Sequence, residues 1–227
     1  MIFNIDGFLG ASPELLIKRN GNSVTSHPLA GTAPKFHDAD SDEISRQKLL
    51  DSTKDAYEHK VTIEWLLNEL LPFCSYGDAD PEPKIVSLEH VHHLGTEVAG
   101  QLSSPPCSIL ELVNALHPTP AVGGDPQTEA LTIIKRVEGI DRRRYAGPVG
   151  WLAADGDGEF AVGIRSSEVK ANTARLYAGV GLVEDSDPQS ELEETEAKEL
   201  IKNRYIKLKV LFLKKFINII YHIFFIK

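Results

Sequence analysis

An α+β chain, antiparallel strands flanked by helices, is what the sequence predicts, and three observations predict it. Residues 1–36 alternate short apolar runs with Gly, Asn and Pro, the pattern of strands joined by tight turns, and residues 85–102 alternate like strands. Between them, Ile44, Leu49, Leu50, Tyr57, Val61, Ile63, Leu66 and Leu67 recur at roughly helical spacing until Pro72 ends the run. Later, YAGPVGWLAADGDGEFAVGIRSSEV sets DGDG between two strand-like segments, a hairpin signature.

The remaining elements follow in chain order. A helix is expected over 42–71, then a polar loop at GDADPEP (77–83), then the alternating run IVSLEHVHHLGTEVAGQL as strands. PPCSILELVNALH reads as a short helix, HPTPAVGGDP as a loop and Gln127–Val137 as a further helix. ARLYAGVGLV is a strand, and a helix starts near Asp187-Pro188 and runs past Lys198, since proline is at home in a first helical turn. No internal repeat or linker interrupts this order, so residues 1–203 are expected to form one domain.

At 227 residues, with 42% apolar and 25% charged side chains, the chain is long enough to bury a real core. Its net charge of −9 argues against a nucleic-acid surface, which needs a basic face. Cys74 and Cys107 fall in no metal-binding or paired spacing, and the N-terminus carries no signal-like run, so a reduced, cytoplasmic protein is expected. Residues 204–227 differ in character. From Lys207 onward there is no Gly, Ala, Ser, Pro, Asp or Glu, and the uncharged stretch 216–226 is too short to span a bilayer.

Several side chains carry chemistry. Glu191 and Glu194 are three apart, on one face of the predicted C-terminal helix, and Asp55 and Glu58 repeat the arrangement on the long helix. Such carboxylates suit a hard cation such as Mg²⁺, although each pair alone reads more readily as a solvated face. Glycines in LAGTAP, YAGPVG and YAGVG allow positive φ or close approach, and leave backbone N–H groups as donors to an anion. Arg165, flanked by apolar residues on a predicted strand, calls for an anionic partner, either a ligand carboxylate gripped in bidentate fashion or, equally, a structural salt bridge. Tyr145, at the start of the preceding strand, is placed to reach the same anion. Glu14 follows Ser12-Pro13; such a residue is usually exposed, but a desolvated one would serve as a general acid. His27, His59, His92, His93 and His117 show no zinc spacing.

In order, SPE, LAGTA, KDAYEH, HLGT, HPTPAVGG, YAGPVGW, IRS, YAGVGLVEDSDPQSE and ELEET resemble the chorismate-binding enzymes, and most closely the isochorismate synthases, over about residues 3–203. The resemblance implies that family's fold, mostly antiparallel sheets with helices packed around them, here without the family's N-terminal strands. It implies Mg²⁺-dependent conversion of chorismate to isochorismate, by water attack at C2 and loss of the C4 hydroxyl, in menaquinone or siderophore biosynthesis. Glu14 then matches the acid, and Glu58, Glu191 and Glu194 the Mg²⁺ ligands. Ala30, Gly31, Thr32, His93, Ala121, Tyr145, Arg165, Gly179 and Lys198 match substrate contacts, with Gly179 a backbone donor and Lys198 a cation near the metal. Ala30 stands where aminodeoxychorismate synthases can carry a nucleophilic lysine, and leaves room for water.

The family's turn glycine before the tyrosine is Arg143 here, and its usual tryptophan is Leu192. The general-base lysine of isochorismate synthases lies farther upstream of the SPE motif than this chain extends. The expectation is therefore little or no turnover, with weak Mg²⁺-dependent chorismate binding at most, in a protein that is monomeric or dimeric like its family. The alternatives are a non-catalytic remnant that only binds ligand or partner, and a salicylate- or anthranilate-synthase type of chorismate enzyme.

Overall fold

The computed structural model describes residues 1–184, 186–196 and 198, and the backbone of 217–225. The chain divides into two compact units, one of residues 1–13, 122–147 and 163–227, the other of 14–121 and 148–162. Their segments interleave, so no linker marks the division in the sequence, and the domain expected over 1–203 contributes to both.

The larger share of the candidate residues lies in the second unit. Its six-stranded sheet has the order β10-β11-β3-β4-β9-β6, formed by β3 (Leu15–Asn20), β4 (Ser23–His27), β6 (Cys74–Ala79), β9 (Val98–Leu102), β10 (Pro148–Leu152) and β11 (Gly158–Val162). Every pairing in it is antiparallel. The hairpin predicted around DGDG is β10–β11. β6 runs to Ala79, three residues into the stretch expected as loop, and stays paired with β9 over them. A second, three-stranded sheet has the order β5-β8-β7, from β5 (Leu29–Pro34), β7 (Lys84–Ser87) and β8 (Val91–Gly95), again antiparallel.

The predicted long helix is two. α1 (Ala39–Asp51) and α2 (Thr53–Leu70) break at Ser52, whose hydroxyl accepts from Asp55 N–H and caps α2. A serine in that place satisfies an orphan donor of the new helix, and the periodicity of apolar residues alone does not reveal it. Both helices pack on β5. α3 (Ile109–Leu116) closes the other side against β3, beginning with a full capping box between Ser108 and Glu111. Ile109, Leu112 and Leu116 are wholly buried at i, i+3 and i+7, together with Leu16, Ile17, Leu66 and Leu70.

The first unit holds the sheet β1-β2-β12-β13-β14, from β1 (Ile2–Ile5), β2 (Phe8–Ala11), β12 (Ser166–Lys170), β13 (Thr173–Leu182) and β14 (Ile217–Phe225). Its pairs are antiparallel except β13 with β14. Phe8, Leu176 and Tyr177 form its core. α5 (Gln127–Glu138) ends at Gly139, which takes the left-handed conformation a C-terminal glycine permits. A further helix, α6, covers 188–196, capped by Asp187, whose carboxylate accepts from Ser190 N–H. The hydrogen bonds from Ser190 hold the Asp187 carboxyl below its usual range.

The sequence therefore predicts the α+β class and its antiparallel sheets correctly. Among the described residues no helix is long and apolar enough to cross a membrane. Of the apolar tail from Lys207, the stretch 207–216 lies outside the described residues.

Candidate functional site

In the second unit the LAGT motif forms a bulge. β5 and β8 lose register between Ala30 and Thr32, and Gly31 sits there at φ 71°. A side chain at Gly31 would meet two obstacles at once. The left-handed backbone disfavours any Cβ, and that Cβ would lie 2.9 Å from both Cβ and Oδ1 of Asp55 on α2. The bulge also turns the Gly31 carbonyl to His93, whose Nδ1–H donates to it at 2.9 Å, with Thr32 Oγ1 3.2 Å from the same nitrogen. A proton on Nδ1 leaves Nε2 as the acceptor of the neutral ring. Ala30 and His93 are buried and Thr32 is half-buried.

Glu58 is half-buried on α2, three residues after Asp55 and so on the face that Gly31 meets. His59 follows it and is buried. Its Nε2 lies 2.7 Å from Thr96 Oγ1, just past the end of β8. Burial, and then the nearby His27, push the His59 ring down to about 4, so it is neutral at physiological pH. His92, the neighbour of His93, faces the other way along the strand. Its Nε2–H donates to Asp42 on α1 at 2.9 Å and its Nδ1 accepts from Ser87 Oγ at 2.9 Å. The bond from His92 holds the Asp42 carboxyl low. His92 is wholly buried, and this line of bonds ties α1 to the β7–β8 pair.

Glu14 precedes β3 and is 3% exposed. Exposure after the Ser-Pro pair, the usual outcome from sequence, is not what this position shows. Its backbone carbonyl accepts from Val162 N–H on β11, which draws the residue inward with the sheet. Ala121 is half-buried in a single helical turn, Pro120–Gly123.

In the first unit Tyr145 and Arg165 sit on turns, not on the strands the sequence suggests. Two backbone bonds clasp these turns together: Ala146 N–H to Gly163 O at 3.1 Å and Gly163 N–H to Gly147 O at 2.7 Å. Strain concentrates here. Arg143 at φ 53°, Ala146 at 63° and Arg165 at 51° are non-glycine residues in the left-handed region, where a Cβ is disfavoured. Arg143, where the resemblance expects glycine, offsets part of that strain with an ion pair to Glu168 at 3.0 Å. Glu168 also accepts from Tyr177 Oη at 3.2 Å, and the Tyr177 ring stacks on Tyr145 with centroids 4.9 Å apart. Tyr145 is thereby buried on one face, and Arg165 is half-buried.

The other candidates of this unit come together on α6. Lys198, in the last described helical residue, is buried, donates to the carbonyl of Gly179 on β13 at 3.2 Å and pairs with Glu194 four residues before it. Gly179 thus offers its carbonyl to lysine, where a backbone donor was the expectation. Glu191 is 4% exposed, one turn ahead of Glu194.

Within each unit the donor chemistry suits Mg²⁺: Glu191 and Glu194 present hard carboxylate oxygens at i, i+3 on α6 of the first, and Glu58 presents one on α2 of the second. Among the described residues no three His, Cys, Asp or Glu side chains gather as a ready-made metal site. Sequence reasoning missed the His59–Thr96, Thr32–His93 and Lys198–Gly179 pairings, because each joins residues far apart in the chain; only the i, i+4 spacing of Glu194 and Lys198 was legible.

Comparison with known proteins adds the rest. The family described as "Chorismate binding enzyme" matches residues 3–201. The chain is 44% identical over 190 residues to the isochorismate synthase DhbC of Bacillus subtilis, covering 84% of this chain and 48% of that protein. It is 42% identical over 191 residues to the isochorismate synthase MenF of the same organism, covering 84% and 40%. Among solved structures it is similar to DhbC from Bacillus anthracis, with TM-score 0.82 and 38% identity over 91% of this chain and 57% of that one. Anthranilate synthase component I of Streptococcus pneumoniae gives TM-score 0.72 at 25% identity, over 90% and 46%. The chain spans about half the length of the curated relatives it matches.

Proposed function

Because the chain belongs to the chorismate-binding enzyme family, we propose that it binds chorismate and carries the isochorismate synthase chemistry for which its relatives are named. The observation that carries this reading is the strained pair of turns at Tyr145 and Arg165. Of the five described non-glycine residues at positive φ, three are Arg143, Ala146 and Arg165. Strain of this kind persists where the surroundings over-determine it, and it clusters at ligand clamps. A guanidinium held this way and a neighbouring phenol would grip the enolpyruvyl carboxylate.

The remaining roles follow from residue chemistry. Isomerisation adds water at C2 and expels the C4 hydroxyl, so a base must take a proton from the water and an acid must protonate the leaving oxygen. Glu14 would be that acid, since removal from water favours a carboxyl's neutral, proton-donating form. His93, its Nδ1–H committed to Gly31, would turn the rest of its ring edge to the substrate, with Ala30, Thr32 and Ala121 shaping its surroundings. Glu58, Glu191 and Glu194 would hold Mg²⁺, which when bound neutralises and orients the ring carboxylate. Lys198 would steady Glu194 and add positive charge at the same end. Free Cys74 and Cys107 suit the reducing cytoplasm proposed for the protein. The product would feed menaquinone or siderophore synthesis, the roles named for relatives.

Calorimetric titration with chorismate in Mg²⁺ tests the proposal. Wild-type chain should bind, and Arg165→Ala should lose about 2–4 kcal/mol, because a desolvated carboxylate would be left unpaired. Equal affinity in the two proteins would remove Arg165 from the site.

A further inference from the structure

Two motif residues remain without a role in that account. The histidine of KDAYEH and the threonine of HLGT are 37 positions apart in sequence, yet His59 Nε2 meets Thr96 Oγ1 at 2.7 Å with both residues buried. Each motif also supplies a candidate site residue: Glu58, for the metal, immediately before His59, and His93, for the substrate, three residues before Thr96.

The neighbouring contacts close a ring. On α2, Asp55 and His59 are one turn apart and share a face. Asp55 abuts Gly31, so closely that a Cβ there would lie 2.9 Å away. The Gly31 carbonyl accepts from His93, and β8 leads from His93 to Thr96. Thr96 then returns the path to His59. Gly95, between them, admits no Cβ, which would fall 2.6 Å from Val86, 2.8 Å from Leu29 and 2.9 Å from His27 Nε2. The segment that presents Thr96 therefore has little freedom to shift. Glu58 sits between the two anchored positions of the helix.

We propose that the His59–Thr96 hydrogen bond is a positioning clamp that sets Glu58 on α2 relative to His93 on β8, and this rests on the reading of Glu58 as a Mg²⁺ ligand and of His93 as a chorismate contact. Neither His59 nor Thr96 touches substrate in this arrangement. The clamp acts by fixing where the helix lies against the strand end, and outer contacts of this kind are typically worth about 10–100-fold in affinity or activity.

The test uses the full chain. In ligand-free protein, ring ¹⁵N spectra of the histidines should shift at both His59 and His93 in Thr96→Val, and Thr96→Ser should restore both. A shift confined to His59 overturns the clamp. Should Thr96→Val fail to fold, His59→Gln reads His93 from the helix side: a shifted His93 ring supports the clamp and an unshifted one overturns it. In chorismate titrations with Mg²⁺, Thr96→Val should weaken binding about tenfold, and adding it to Glu58→Gln should cost nothing further. Full additivity overturns the clamp. Wild-type chain that binds no chorismate would sink the proposed function, while the ring spectra still decide the clamp.

Discussion

His59 shows at the scale of one residue how burial decides chemistry. An imidazole in water titrates near 6.5, but inside the fold, with Thr96 as partner, it is pushed down to about 4. The unfolded chain therefore takes up a proton below pH 6.5 that the folded chain refuses until about pH 4. Stability is full above pH 6.5 and falls as pH drops through that window. Between pH 7 and pH 5 the loss from this group should be about 2 kcal/mol. Urea unfolding in EDTA at the two pH values measures it, and His59→Gln should flatten the difference. An equal pH dependence in the two proteins would show that the ring is not held neutral. None of this is legible in the sequence, where His59 is one of eight histidines. Glu14 gives the same lesson: it is buried where β3 begins alongside β11, a pairing of distant segments.

Turns and bulges decide matters at the scale of elements. The LAGT bulge depends on Gly31, so Gly31→Ala should destabilise the fold by about 2 kcal/mol or more, from left-handed strain plus contact with Asp55. Chemical denaturation checks this, and an unchanged midpoint would mean that α2 can yield. At the other turn the sign reverses. Arg143 occupies a left-handed position, so Arg143→Gly should raise the melting temperature by about 2–4 °C despite losing the exposed pair with Glu168. A lower melting temperature would show that the ion pair outweighs the strain. The sequence made both positions visible, Gly31 by its motif and Arg143 by its departure from one. It placed strands, hairpin and short helices well, because alternation and turn residues are local signals. It failed at Ser52, where the apolar periodicity runs straight through a helix break that only a cap marks. It failed again at Tyr145 and Arg165, where flanking apolar residues imitate a strand while the backbone turns.

For the whole molecule, the motif order identified the family because each motif carries several unusual residues in a fixed sequence. The bond from Lys198 to Gly179 was beyond reach, since it depends on the helix docking on β13, whereas its i, i+4 pair with Glu194 is a local spacing. The central claim is that the protein grips a doubly carboxylated ring, using Arg165 and Tyr145 for the enolpyruvyl carboxylate and Mg²⁺ held by glutamates for the ring carboxylate. The most direct measurement compares equilibrium binding of chorismate with that of shikimate, which has the ring carboxylate alone, in Mg²⁺ and in EDTA. Wild-type chain should prefer chorismate by at least about tenfold in Mg²⁺, a charge-paired carboxylate being worth more than about 1.4 kcal/mol. EDTA should weaken both ligands, and Arg165→Ala should erase the preference. Absence of chorismate binding in Mg²⁺, or a preference that survives Arg165→Ala, would contradict the account.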